Sequence, residues 1–309
     1  MTTRLDRPRF VLRSPLAWIR RGGLSALVLV LPLLLTFGLF SWLPIGRAAV
    51  MSFQTTNLIS DPVWVGLDNF ARVLSDPLLL TAAKNTAFFT LLALIFGYPL
   101  PLVLAACIGE LRRGRGLYSV LAYLPVVVPP VAAILLWRFF YDAGPSGVFN
   151  TVLGWFGVGP WAWIQSPGSA MPSLVLVATW SAAGGTVIIY LAALGGLRGE
   201  LYDAAEVDGA SIAQKIWHVM LPQLRYVLLV TLILQLIGTF QVFVEPFLLT
   251  SGGPANSTLT ILLLIYRYAF GVGGGGDFGA ATTLSLMLAA ALALLSWVYL
   301  RATRAWSAS

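Results

Sequence analysis

Apolar runs alternate with short polar breaks along nearly the whole chain. The runs at residues 24–46, 85–109, 116–137, 169–194, 223–249 and 278–300 are each long enough for a helix to cross ~30 Å of hydrocarbon. The pattern predicts an all-α integral membrane protein with six transmembrane helices. The third run contains Pro125, Pro129 and Pro130. Prolines at membrane depth free carbonyls that neighbouring helices or a water-filled cavity must satisfy. Residues 138–168 are too rich in Gly, Pro and Trp for one straight helix, and Trp155, Trp161 and Trp163 suit a headgroup-level belt. The apolar stretch 259–270 is too short to span, so it is expected at the outer surface, with a flexible glycine joint at 273–276. The polar stretch 47–83 carries turn signals at Asp61-Pro62 and Asp76-Pro77.

Composition agrees: 58% of residues are hydrophobic, 10% are charged and mean hydropathy is +0.85. A soluble domain carries about a quarter charged residues. The net charge of +7 would suit nucleic acid, but its distribution points elsewhere. With six spans, fourteen of the nineteen Lys and Arg fall on the side of the termini. That bias places both termini and the 198–222 loop in the cytoplasm and accounts for the charge without nucleic acid. The expected divisions are a basic arm at 1–23, a transmembrane region at 24–301 and a tail at 302–309. The arm either touches lipid through Phe10, Leu12, Leu16, Trp18 and Ile19 or is a solvated topology signal; it lacks a clear cleavage site. Cys107, the single cysteine, reads as a small packed hydrophobe.

One stretch stands apart. Residues 143–197 carry no charge, and then 203–222 holds Asp203, Glu206, Asp208, Lys215 and His218. Residues 201–207 read as a short helix, with Asp203 near its positive end. Ala204 and Ala205 leave its surface free of bulk. Gly209 permits a turn, and Ser211 can cap a second helix at 212–220. Ile212, Ile216, Val219 and Met220 recur at helical spacing, and Pro222 suits the first turn of the next span. Two short helices joined at a glycine make either a rigid knob tied to two spans or an ordinary loop lying on the bilayer.

Asp203-Ala204-Ala205, Asp208-Gly209-Ala210 and Leu221-Pro222 fall in register with the cytoplasmic EAA loop of bacterial ABC-importer permeases. That loop reads Glu-Ala-Ala, two residues, Asp-Gly-Ala, then an apolar helix ending in Leu-Pro. The chain departs from it at Asp203, where Glu is usual, and at Ile216, where Phe is usual. Gly66-Leu67-Asp68-Asn69-Phe70, Leu124-Pro125 with Trp137, Thr250-Ser251-Gly252-Gly253-Pro254, and Phe278-Gly279-Ala280-Ala281 resemble further segments of carbohydrate-type permeases. The resemblance is to the first of two dissimilar permeases in maltose, glycerol-phosphate and trehalose importers.

This resemblance implies a type I importer fold and a coupling helix made of Asp203, Ala204, Ala205, Asp208, Gly209, Ala210, Ile216, Leu221 and Pro222. It also implies a second permease, a cytoplasmic ATPase dimer that binds ATP and Mg, and an extracytoplasmic solute-binding protein or lipoprotein. The chain itself is expected to bind no cofactor: it has no Gly-x-x-x-x-Gly-Lys-Ser/Thr and one histidine, His218, with no paired metal ligands. A sugar path would use Gln235, Thr239, Gln241 and Glu245 in the fifth run, with Phe240, Trp180 and Trp137 stacking on sugar faces. The other reading of these polar groups is interhelical hydrogen bonding, worth ~0.6 kcal/mol each. Glu245 could pair instead with Arg267 or Arg138, and Asn85 could belong to the path or cap the second span. Few basic residues face this path, which favours a neutral solute over glycerol phosphate. An ion-coupled secondary transporter would show a mid-span acid or an internal repeat, and a membrane enzyme a catalytic cluster; the sequence shows none of these.

Overall fold

The computed structural model describes residues 23–111, 113–197, 199–271 and 276–307. The basic arm, Arg112, Arg198 and most of the glycine joint lie outside them. α1 (Leu24–Met51) runs past its expected end at residue 46, and none of its apolar window is buried against the rest of the chain. A two-residue antiparallel ladder follows, β1 (Gln54–Thr55) with β2 (Val63–Trp64), which hydrophobic patterning is too coarse to register.

α2 (Asp68–Ser75) leads to α3 (Pro77–Gly109), the second span. Its start corrects the expectation of a loop to residue 83 with a turn at Asp76-Pro77. Asp76 is a helix N-cap, its carboxylate accepting from the Leu78 N–H at 2.8 Å, and Pro77 takes the first helical position, where a missing N–H costs nothing.

The third expected span is broken. α4 (Arg115–Val127) and α5 (Pro130–Phe140) meet at 97°. Val128 is extended because the ring of Pro129 disfavours a helical residue before it, and two consecutive prolines prevent the ladder from closing. The stretch after it folds around Asn150, which follows Val148 in α6 (Val148–Gly154) and is 2% exposed. Its amide donates to the carbonyls of Asp142, Gly144 and Trp161 and accepts from Trp161 N–H and Trp163 Nε1. Trp155 and Trp161 are exposed, whereas Trp163 packs on Tyr141 and Phe149.

α7 (Pro167–Gly195) is the most deeply packed span. A Cβ on its Gly184 would stand 2.3 Å from the Ala122 carbonyl, so α4 and α7 touch backbone to backbone. The sequence then forms α8 (Gly199–Val207), α9 (Ile212–Lys215) and the span α10 (Ile216–Phe240). The short α11 (Ile261–Phe270) packs with α12 (Phe278–Ser307), the last span. Outside the spans, Asn69 holds this end together. Its amide donates to the carbonyls of Ser52 and Gln54, and its oxygen accepts from Arg72, which pairs with Asp277 at 2.6 Å. Arg72 and Asp277 also border Tyr268, whose hydroxyl donates to Asp76; burial and that acidic acceptor push the phenol's pKa up.

Candidate functional site: a capped loop and a polar cavity joined by one helix

The loop between α7 and α10 is built from local caps. Gly209 has φ +70°, in the left-handed region, and the Ala210 N–H reaches back to the Ala205 carbonyl at 2.9 Å. This is a Schellman-type end for α8. A Cβ on Gly209 would meet no atom within 4 Å, so glycine is there for its backbone and not for clearance. Ser211 and Gln214 then cap each other: the Gln214 N–H donates to Ser211 Oγ at 3.4 Å, and the Ser211 N–H donates to Gln214 Oε1 at 2.8 Å. A wide π turn, Ile216–Met220, carries α9 into Leu221 without interrupting the helix. It inserts an extra residue into the α-helical period expected across 212–220.

Met220 and Leu224 anchor the loop's inner side, at 6% and 1% exposure, while Val207 and Trp217 stand out at 88% and 69%. Asp203, Ala204, Asp208, Gly209 and Pro222 are exposed; Ala205, Ala210, Ile216 and Leu221 are half-buried. Asp203 also borders a cleft of about 260 Å³ that contains Glu110 and Arg115. His218 is exposed, its ring nitrogen 3.1 Å from the Gln214 carbonyl.

At the other end of α10 lies a cavity of about 470 Å³ between α3, α7 and α10. Gln235 and Thr239 line it from α10, and Thr179 and Thr186 from α7. The helices approach closely within its wall: a Cβ on Gly97 would stand 2.8 Å from Thr179 Oγ1. The fifth span does not continue to residue 249 as the apolar run suggests. It stops at Phe240, and Gln241 to Glu245 complete the cavity wall. Pro246 supplies the reason. In a continuing helix its ring would clash with the carbonyl of Val242, four residues back. That carbonyl instead accepts from the buried Thr260 hydroxyl at 3.0 Å.

The structure thus brings together Gln235, Thr239, Gln241 and Glu245 and leaves the other expected path residues outside the lining. Trp137 is 7% exposed beneath Trp180, their rings edge to face at 5.6 Å, and its Nε1 has no hydrogen-bond partner. Phe240 is half-buried beside the helix end. Asn85 lies well inside α3 and does not cap it; its amide donates to the carbonyls of Asn256 and Leu259 at 2.7 and 2.9 Å, fixing the turn between Ser251 and Leu259. Arg267 fixes the same turn through Asn256 Oδ1 and the Ser251 carbonyl, and Arg138 is exposed, so neither pairs with Glu245. Sequence reasoning missed Thr179, Thr186 and Thr231. Their only signal is the seven-residue spacing of the first two, which puts them on one helix face.

Comparison with known proteins agrees with this arrangement. Residues 97–307 match the family described as binding-protein-dependent transport system inner membrane component. The arabinooligosaccharides transport system permease protein of Halalkalibacterium halodurans is 33% identical over 76% of this chain and 74% of its own length. The trehalose/maltose transport system permease protein of Thermococcus litoralis is 32% identical over 76% and 79%. The sn-glycerol-3-phosphate transport system permease protein of Pectobacterium atrosepticum is 32% identical over 76% and 80%. The crystal structure of a bacterial ABC transporter involved in the import of the acidic polysaccharide alginate contains a chain that superposes with TM-score 0.81 at 27% identity, covering 93% of this chain and 96% of that one. A second alginate transporter structure, in complex with its pentasaccharide-bound periplasmic protein, superposes with TM-score 0.79 at 27% identity, over 91% and 95%. With the fold, the capped loop and the family match in agreement, the chain belongs to the binding-protein-dependent inner membrane components, the multi-pass permease subunits of ABC importers.

Proposed function

We propose that this chain forms, with a second permease, the membrane path of an ATP-driven importer for a saccharide. The observation that carries this reading is the single helix α10, whose inner end emerges from the capped loop and whose outer end walls the polar cavity. Gln235, Thr239 and Gln241 offer the amide and hydroxyl groups that bond sugar hydroxyls, and relatives named for arabino-oligosaccharides and trehalose/maltose support the solute class. The loop from Asp203 to Pro222 docks in a cleft of a cytoplasmic ATPase, which binds ATP and Mg. Both termini then face the cytoplasm, and an extracytoplasmic binding protein delivers the solute. Closure of the ATPase dimer moves the loop, and α10 transmits that motion to the cavity in alternating access.

The test is purification of the chain from its own membrane, followed by uptake of radiolabelled saccharides with and without it. Recovery of an ATPase and a second permease, with uptake lost in the deletion strain, is the expected result. A lone chain that transports fully overturns the reading.

A further inference from the structure

The cavity has an electrostatic asymmetry. Its polar wall is made of neutral hydroxyls and amides with a single ionisable group, Glu245. No Lys, Arg or His lines it among the described residues. Glu245 has no ion-pair partner there either. The two cations that could have neutralised it are placed elsewhere, Arg267 on Asn256 and Ser251, and Arg138 exposed. The helix break makes this possible. Were α10 to continue past Phe240, residue 245 would follow the helical register; the interruption at Gln241 and the turn at Pro246 set Glu245 into the same wall as Gln235 and Thr239.

We infer that Glu245 sets the charge class of the solute: it admits neutral saccharides, accepting hydrogen bonds from their hydroxyls, and rejects phosphorylated sugars and uronates. The inference rests on the saccharide reading above and goes beyond it, because the relatives include proteins named for an anion, sn-glycerol 3-phosphate, and for an acidic polysaccharide, alginate. An anionic group entering this cavity meets a like charge, with no cation among this chain's described lining residues to offset it. Close like charges in such surroundings disfavour binding by about tenfold or more. A neutral saccharide meets no such opposition and gains a strong acceptor for its hydroxyls.

The experiment measures binding on the purified permease–ATPase complex with the solute-binding protein left out, so that only the permease's own selectivity is read. Saturation-transfer difference NMR detects weak ligands and is run with matched pairs: trehalose beside trehalose 6-phosphate, and galactobiose beside digalacturonate. A signal from at least one neutral sugar, with its acidic counterpart bound about tenfold more weakly, is expected. Glu245→Gln, close in shape but uncharged, should bring the acid to within about threefold of the neutral sugar, and Glu245→Asp should keep the discrimination. Equal binding of acid and neutral sugar by the unaltered complex overturns the charge inference and leaves the saccharide reading standing. So does a ratio that Glu245→Gln does not change. Absence of signal from every saccharide, neutral or acidic, overturns the saccharide reading and this inference with it.

Discussion

The two ends of α10 solve opposite problems. At the inner end, a turn, a reciprocal cap and a π turn keep the chain helical from Ile212 through Met220 into the span. At the outer end, Pro246 stops the ladder, and the freed Val242 carbonyl takes a side-chain donor from another segment. Continuity suits a part that transmits force. Interruption suits a part that must present several polar groups to a cavity, since a regular helix spreads successive side chains around its axis. The contrast separates residues whose loss should disconnect the machine from residues whose loss should alter what it carries.

The largest effect is expected at the inner end. Gly209→Val forces a β-branched residue into a left-handed conformation. Uptake should fall more than ~10-fold, because a rate falls tenfold for each 1.4 kcal/mol and the strain is of that order. The protein should still reach the membrane and the ATPase should still turn over. Normal uptake at normal membrane abundance would remove the loop from the transmission path. A smaller, differently shaped effect is expected at the outer end. Gln235→Ala should raise the half-saturating solute concentration by roughly 5-fold, about 1 kcal/mol for one hydrogen bond, with ATP hydrolysis stimulated by the binding protein preserved. An unchanged saturation curve would return Gln235 to helix packing.

The difference in legibility between the ends follows from the same physics. The loop was readable because its structure is local: Gly209, and Ser211 with Gln214, lie within a few residues of the groups they satisfy. Asp203's cleft, with Glu110 and Arg115, by contrast depends on distant chain. The other end is not legible from hydropathy, because the apolar run continues to Leu249 while the helix breaks after Phe240 and resumes only as a separate π turn at Pro246–Thr250. The decisive partner, Thr260, lies well beyond the break in sequence. Asn85 shows the same limit: its partners, the carbonyls of Asn256 and Leu259, become neighbours only after folding. Trp137 and Trp180 carried the right residue type for a sugar platform but were recruited into the aromatic core, an outcome composition does not encode. The broken pair α4 and α5, by contrast, was announced by Pro125, Pro129 and Pro130, though not its angle.

Two finer tests sharpen the contrast. Thr260→Val leaves the Val242 carbonyl buried without its donor and should cost about 1–3 kcal/mol, lowering the melting temperature of the purified complex by several degrees. No shift would mean that water satisfies that carbonyl. Ser211→Ala removes one half of the reciprocal cap at an exposed site and should cost about 0.5–1 kcal/mol. The expected outcome is a slight fall in uptake with the melting temperature almost unchanged; a fall as large as that of Gly209→Val would show that the cap, rather than the glycine turn, orients the loop.

The uninterrupted stretch Leu221–Phe240 is about 30 Å long at ~1.5 Å per residue. A rod of that length magnifies: a tilt of about 10° at one end sweeps the other through about 5 Å, close to the rise of one helical turn. Gln235 and Thr239 sit near the far tip, where the sweep is greatest, so under the proposed function a modest rotation at the loop end is enough to carry a solute's hydrogen-bonding partners out of reach. Gearing of this kind makes release a matter of geometry: the site need not weaken any bond chemically if its two walls part by more than a hydrogen bond can stretch.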